Sequence, residues 1–366
     1  FVMIHFEANL RERLGDRAAI LYWILDPAAT GSFVAHDIES TWVFMHPVDA
    51  DADTDADDNA DDSELYDERR CREIVERAMG TNDVPFEIQS ISRWRMTAQV
   101  ADQYQDGRIF LVGDAAHRFP PTGGMGLNTG VQDVHNLAWK IAWVENQRAG
   151  AKLLDTYESE RKAVAQNNAD QSLNNALKMF DVLAAVAPAE GDGRLLAERL
   201  GDAGVRDLVS NSIANQHDHF DMFGLHLGFR YDQGALVADG SPEPPPATSV
   251  GDYTPSTRPG SRMPHATILR EGQTASTLDL VDQENFTVLA GPTWQAWADA
   301  ARQLGLPCVA EGRDFQDVDG GWAAVRGIED SGALVLRPDG HVAWRAQSDT
   351  ATDELASVIA KLRFAT

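Results

Sequence analysis

Residues 107–130 concentrate the side chains whose types and spacing can do chemistry. They read Gly107-Arg-Ile-Phe-Leu-Val-Gly-Asp-Ala-Ala-His117, then Arg118-Phe-Pro-Pro-Thr-Gly-Gly-Met-Gly-Leu-Asn-Thr-Gly130. The apolar run from Ile109 to Val112 predicts a buried strand. It ends on Gly113-Asp114, and the carboxyl end of a strand is where α/β proteins bind ligands. A carboxylate there accepts hydrogen bonds from ligand hydroxyls, although an isolated Asp serves equally as a turn or helix cap. Pro120 and Pro121 stiffen the next stretch, and Gly123, Gly124 and Gly126 let the backbone approach a flat ligand. Leu127-Asn-Thr129 then opens a helix whose first turn presents unpaired N–H groups and the positive end of the macrodipole. A phosphate or an anionic ring suits that end equally well.

Other reactive side chains carry less. His117 adjoins this loop, where a His more often packs or hydrogen-bonds locally than acts as a base. Asp51, Asp53, Asp55 and Asp62 fall at calcium-loop spacing, but Ala56 stands where the sharp turn needs Gly, so no metal is expected. Cys71 and Cys308 are far apart and form no paired pattern, which points away from disulfides and zinc and suits a reducing cytoplasm.

Around this segment the chain divides by composition. Residues 1–100 read as sheet, with strand-like runs Ala19–Leu25, Thr41–Met45 and Phe86–Met96 and a helix over 67–79, interrupted by a solvated acidic loop at 49–62. Residues 101–240 hold the motif and its helices. Val131, Val134, Ala138 and Ile141 mark one helix, with Gly150 as its stop; Trp139 and Trp143, four apart on it, are expected in the core. Asp155-Thr-Tyr-Glu158 caps a second helix running toward Leu183. Residues 189–204 are looser and polar. The Pro-rich tract 241–264 is the expected domain boundary. Residues 265–366 form a small α/β pattern, with strands Thr277–Leu280, Phe286–Ala290, Ala333–Arg337 and His341–Arg345 and helices Trp294–Leu304 and Asp353–Leu362.

The charge bounds the partners. Thirty-one basic against 57 acidic residues leave a formal charge of −26 over 366 residues. That balance repels phosphate backbones and anionic lipid, so neither nucleic acid nor a membrane surface is an expected partner. No stretch approaches the roughly 20 apolar residues of a spanning helix, so a soluble protein is expected.

The run Gly113-Asp-Ala-Ala-His-Arg-Phe-Pro-Pro-Thr-Gly-Gly-Met-Gly-Leu-Asn-Thr-Gly-Val-Gln-Asp133 and its continuation to Ile141 resemble the second flavin-binding motif of the class A flavoprotein monooxygenases. These include the para-hydroxybenzoate, phenol, chlorophenol and polyketide hydroxylases. Tyr157-Glu-Ser-Glu-Arg161 is similar to the family's next helix, with Ala163 where proline is common. Arg258-Pro-Gly-Ser-Arg262, Pro264-His265 and Leu334 to Arg345 resemble the phenol-hydroxylase branch with its C-terminal thioredoxin-like domain.

The resemblance implies an α/β (α+β) fold: the C-terminal part of a para-hydroxybenzoate-hydroxylase-like FAD- and substrate-binding domain, followed by a thioredoxin-like domain. It also implies a homodimer, FAD as cofactor, NAD(P)H as transient co-substrate, and hydroxylation of a small phenolic substrate with oxygen through a flavin C4a-hydroperoxide. Carried over by position, Gly113, Asp114, Pro121, Gly124, Gly126, Leu127 and Asn128 would hold the flavin. Asp114 would bond the ribityl chain, and Pro121 would turn its carbonyl toward the site of oxygen transfer. The Leu127 and Asn128 amides would meet the pyrimidine end of the ring. Tyr22 and Trp23 would lie on the sheet that covers the substrate.

Two departures qualify this. Neither the family's opening G-x-G-x-x-G turn nor its later Asp-Gly motif is present, so the N-terminal FAD lobe is expected to be missing from the sequence. A non-catalytic remnant or a binding and dimerisation module is then the alternative. Where a thioredoxin would carry Cys-x-x-Cys the chain has Gly291-Pro-Thr-Trp294, so thiol–disulfide exchange is not expected. Lacking redox chemistry, residues 266–366 are expected to be dispensable for holding flavin.

Overall fold

The computed structural model describes residues 1–26, 29–48, 66–188, 192–245 and 247–364. The acidic stretch with its calcium-like spacing lies outside the described residues. Two compact units emerge, residues 1–97 with 181–210, and residues 98–180 with 211–366.

The first unit is built on an antiparallel five-stranded sheet of order β2-β3-β4-β1-β5. The strands are β1 (Val2–Glu7), β2 (Leu21–Ile24), β3 (Gly31–Asp37), β4 (Thr41–His46) and β5 (Glu87–Arg93). Strand alternation puts Val2, Ile4 and Phe6 of β1 on one buried face with Phe44 and Trp42. Helix α1 (Glu68–Met79) covers that face with Cys71, Ile74, Val75 and Ala78, the i, i+3, i+4, i+7 stripe of an amphipathic helix. Asp67 caps it by accepting the Arg70 N–H at 2.7 Å, and Gly80 ends it in the left-handed region at φ 68°. Tyr22 belongs to the helix-covered side: its ring packs on Trp42, and its hydroxyl bonds the backbone of Arg17 and Ala19. Trp23 therefore points to the other face.

The second unit holds the motif. Short pairs β6 (Gln99–Val100) with β9 (His117–Arg118), and β7 (Gln105–Asp106) with β8 (Ile109–Phe110), lead into it. The expected buried strand over Ile109–Val112 is thus a two-residue hairpin arm. Gly107, at φ 58°, turns the chain back at once, and Ile109 is 69% exposed. Helix α2 spans Met125–Glu145 and α3 spans Thr156–Val186.

Residues beyond the Pro-rich tract form a four-stranded sheet of order β13-β12-β15-β16. Its strands are β12 (Thr287–Ala290), β13 (Cys308–Ala310), β15 (Ala333–Leu336) and β16 (Val342–Ala346); only the β12–β13 pair is parallel. Beside it are the small sheet of β10 (Thr267–Arg270), β11 (Gln273–Ser276) and β14 (Gln316–Asp317), and helices α4 (Gln295–Gln303) and α5 (Leu355–Leu362). The thioredoxin-like expectation holds. Thr277–Leu280, expected as strand, is a single helical turn. The cause is local: the Ser276 hydroxyl accepts the Leu278 N–H, and the Asp279 carboxylate accepts the Ser276 N–H.

The tract expected to divide two domains is bridged by a common core. Trp139, Trp143 and Leu153 pack in one cluster with Phe286, Val288 and Trp297, and the Trp143 and Phe286 ring centroids are 4.9 Å apart.

Candidate functional site

The Gly113–Ala115 segment is one tight turn, closed by the Ala116 N–H on the Gly113 carbonyl at 2.8 Å. Gly113 sits at φ 59°, which an L side chain rarely adopts. The turn lies flat on α2 because a glycine faces it there. A Cβ on Gly130 would come within 3.2 Å of the Gly113 Cα. Two glycines seventeen positions apart in sequence thus set the approach of turn to helix.

A buried carboxylate fixes the turn from below. Asp133 accepts the Gly113 N–H at 3.3 Å, faces His117 Nε2 at 2.8 Å and takes Arg161 Nε at 2.8 Å. Burial alone would raise the Asp133 pKa, but the hydrogen bond from His117 and the Arg161 charge pull it below the usual carboxylate value. His117 also stacks on Phe119 at 4.6 Å. It is a buried, locally bonded side chain, in keeping with a His beside such a loop.

The loop before α2 is pinned to α3. Buried Thr122 donates to the Ser172 carbonyl at 2.6 Å and receives Asn175 Nδ2 on its own carbonyl at 3.4 Å. The Pro121 carbonyl accepts the Gly124 N–H at 3.0 Å, closing the turn that starts the helix. Gly124, at φ 64°, is the helix N-cap, so α2 begins at Met125, two residues earlier than the sequence indicated. The unpaired amides therefore fall on Met125, Gly126 and Leu127; Asn128 is the first whose N–H the helix can pair. The Asn128 side chain also turns inward, donating to the Gly124 carbonyl at 2.9 Å.

Asp114, Pro121, Gly124, Leu127 and Asn128 are all exposed, and a Cβ on Gly124 or Gly126 would meet nothing within 4 Å. These residues frame an open surface at the N-terminal end of α2, with a carboxylate, a helix dipole and bare backbone for a ligand to meet. The donor set fits the ring and ribityl part of a flavin.

Beneath that surface α2 buries a polar stripe, Thr129, Asp133, Asn136 and Lys140, beside apolar Leu137, Trp139 and Trp143, while Leu127, Val131, Val134 and Ile141 are exposed. The polar stripe is satisfied by residues distant in sequence. Glu160 of α3 accepts Lys140 Nζ at 2.8 Å, Asn136 Nδ2 at 2.6 Å, the Ala235 N–H at 2.7 Å, and Arg337 Nη1 and Nη2 at 2.9 and 2.8 Å. Burial works against the Glu160 charge, yet Arg337 and Lys140 hold its pKa near 2. Lys140, sharing that one carboxylate with Arg337, is pulled down by burial to about 8. Arg337 also grips Asp339, whose Oδ2 takes Trp139 Nε1 at 3.2 Å. Sequence reasoning missed this network. Its one local trace is the adjacent pair Glu160-Arg161 near the start of α3. Among the described residues no cluster of three or more His, Cys, Asp or Glu is placed to hold a metal, and no helix is long and apolar enough to cross a membrane.

Residues 1–172 match the family described as FAD binding domain, and residues 256–363 match that described as aromatic-ring hydroxylase, C-terminal. The fold superposes on the flavin-dependent monooxygenase PieE, solved with FAD and substrate, at a TM-score of 0.87 and 33% identity, over 99% of this chain and 65% of that one. Over the part it spans, the chain shares the fold of these flavin-dependent hydroxylases. Aklavinone-11 hydroxylase, solved with FAD and aklavinone, is another hydroxylase of this fold, with a TM-score of 0.77 and 30% identity over 99% of this chain and 62% of that one. Among curated hydroxylases, 4-methyl-5-nitrocatechol 5-monooxygenase of Burkholderia sp is 35% identical over 98% of this chain and 62% of its own length. For 2,4-dichlorophenol 6-monooxygenase of Delftia acidovorans the figures are 32%, 99% and 64%. The chain thus spans less than two thirds of the length of these relatives.

Proposed function

We propose that this chain supplies the ring-binding half of an FAD-dependent monooxygenase that hydroxylates a phenolic aromatic at the expense of NAD(P)H and oxygen. The observation that carries the reading is the Gly113–Asp114 turn. It is seated on Gly130 and tied by Asp133, and its free carboxylate sits in the segment that continues into the bare N-terminal end of α2. When bound, the flavin supplies the redox chemistry and the activation of oxygen. The protein supplies position and field. Asp114 accepts hydrogen bonds from ribityl hydroxyls; the amides of Gly126 and Leu127 and the α2 dipole favour negative charge on the pyrimidine end of the ring. Gly124 and Gly126 leave room for the ring plane to lie on backbone.

The adenosine end of FAD is proposed to be held by a lobe outside these 366 residues. The apolar stripe Leu127, Val131, Val134 and Ile141, between 80% and 37% exposed, is the surface on which such a lobe would seat. Supplying the part of 2,4-dichlorophenol 6-monooxygenase that this chain does not match, as a fusion, should yield a yellow complex that consumes NAD(P)H and oxygen when a phenol is added. A colourless, folded fusion would contradict the reading. A yellow fusion without phenol-dependent turnover would favour a binding module over an enzyme.

A further inference from the structure

A cavity of about 460 Å³ lies in the second unit, between α2, the segment 226–231 and the turn after β15. That size suits a small organic molecule. The wall holds an unsatisfied polar atom: His341 is 5% exposed, and its Nε2 has no hydrogen-bond partner. Its Nδ1 faces Asp339 Oδ1 at 3.4 Å, a contact too long for a good hydrogen bond, so Nε2 is the ring nitrogen left wholly without a partner. The imidazole is held in place by stacking on Tyr231, at 4.5 Å between centroids.

Arg262 stands beside it. An isolated antiparallel bridge pairs Arg262 with His341, and residues opposite each other in such a bridge direct their side chains to the same face. Arg262 lines the cavity too, and among the described residues it has no carboxylate within ion-pair distance. In a chain of net charge −26, an uncompensated guanidinium on a cavity wall is unusual. The acid nearby, Asp339, is already spent on Arg337. Phe229, Leu278 and Val281 give the wall an apolar side, and Gln132, His135, His226 and Gln283 give it a polar one.

The geometry points to a binding site for a small aromatic carboxylate: the carboxylate on the Arg262 fork with His341 Nε2 as second donor, the ring between Phe229 and the Leu278–Val281 wall. A guanidinium recognises a carboxylate through two parallel hydrogen bonds, which a neutral amide cannot reproduce. Its α2 wall begins at Gln132, roughly 6 Å along the helix from Asn128 at 1.5 Å per residue. The inference does not depend on the flavin reading.

The test is a calorimetric titration of the full 366-residue chain, without flavin, using benzoate as the probe and benzamide and inorganic phosphate as comparisons. One benzoate should bind per chain, with benzamide and phosphate at least about tenfold weaker. Arg262→Gln should weaken benzoate by a similar factor with unchanged circular dichroism. Leu278→Trp, which fills the cavity and keeps its charge, should abolish binding and remains decisive if the Arg262 variant does not fold. No heat from benzoate up to about 10 mM would overturn the proposal. So would equal affinity in the Leu278→Trp chain, or phosphate binding as tightly as benzoate.

Discussion

The Asp133 carboxylate accepts the backbone N–H of Gly113 at 3.3 Å, so a residue two turns into α2 holds the turn that presents Asp114. The same carboxylate neutralises fully buried Arg161. Asp133→Asn keeps the shape and removes the charge, leaving that guanidinium without its ion pair. Urea denaturation should show a loss of about 3–5 kcal/mol, the cost of stranding a buried charge. A loss under about 1 kcal/mol would mean that the pair adds no more than an exposed one.

Arg337 and Glu160 are joined across 177 positions by two hydrogen bonds, inside a unit whose core also crosses the Pro-rich tract. Arg337→Met should cost about 3–5 kcal/mol. Deleting residues 265–366 should unfold or aggregate the second unit, because Trp139, Trp143 and the Glu160–Lys140 pair would lose their cover. This replaces the expectation that the segment is dispensable. A monomeric, cooperatively melting truncation would contradict it.

Gly113 needs its positive φ. Gly113→Ala should destabilise the chain by about 1–2 kcal/mol, the cost of a left-handed Ala. Thermal melting reads this directly, and an unchanged midpoint would show that the turn relaxes freely.

Acid should dissolve the network in a defined direction. Glu160 is held near pKa 2, and Asp133 and Asp339 are also lowered. Unfolded carboxylates titrate near 4. Folded pKa values below unfolded ones mean the unfolded chain takes up protons first, so this stability is complete above about pH 5 and falls as pH drops toward 2. Melting temperature against pH should show the fall, and Glu160→Gln should flatten it. An equal slope in the variant would take Glu160 out of the effect.

With the adenosine-binding lobe supplied, Asp114→Ala should weaken FAD by about 1–3 kcal/mol through loss of charge-assisted hydrogen bonds. Flavin fluorescence titration measures it. An unchanged dissociation constant would remove Asp114 from the site.

The sequence by itself determined what is local: the spacing of Gly113, Asp114, Gly124 and Gly126, the helices that follow them, the capped helix α1, and the missing cysteine pair at Gly291–Trp294. Each rests on turn chemistry, capping or periodicity within a few residues of chain. Tertiary structure decided the rest. Thr129, Asp133, Asn136 and Lys140 read along α2 as a solvent-facing polar stripe, and they are buried beside Leu137, Trp139 and Trp143. Their burial is stable only because Glu160, Arg161 and, far along the chain, Arg337 bring opposite charges and hydrogen bonds that no local window contains. Leu127, Val131, Val134 and Ile141, which hydropathy alone would bury with Trp139 and Trp143, are left open.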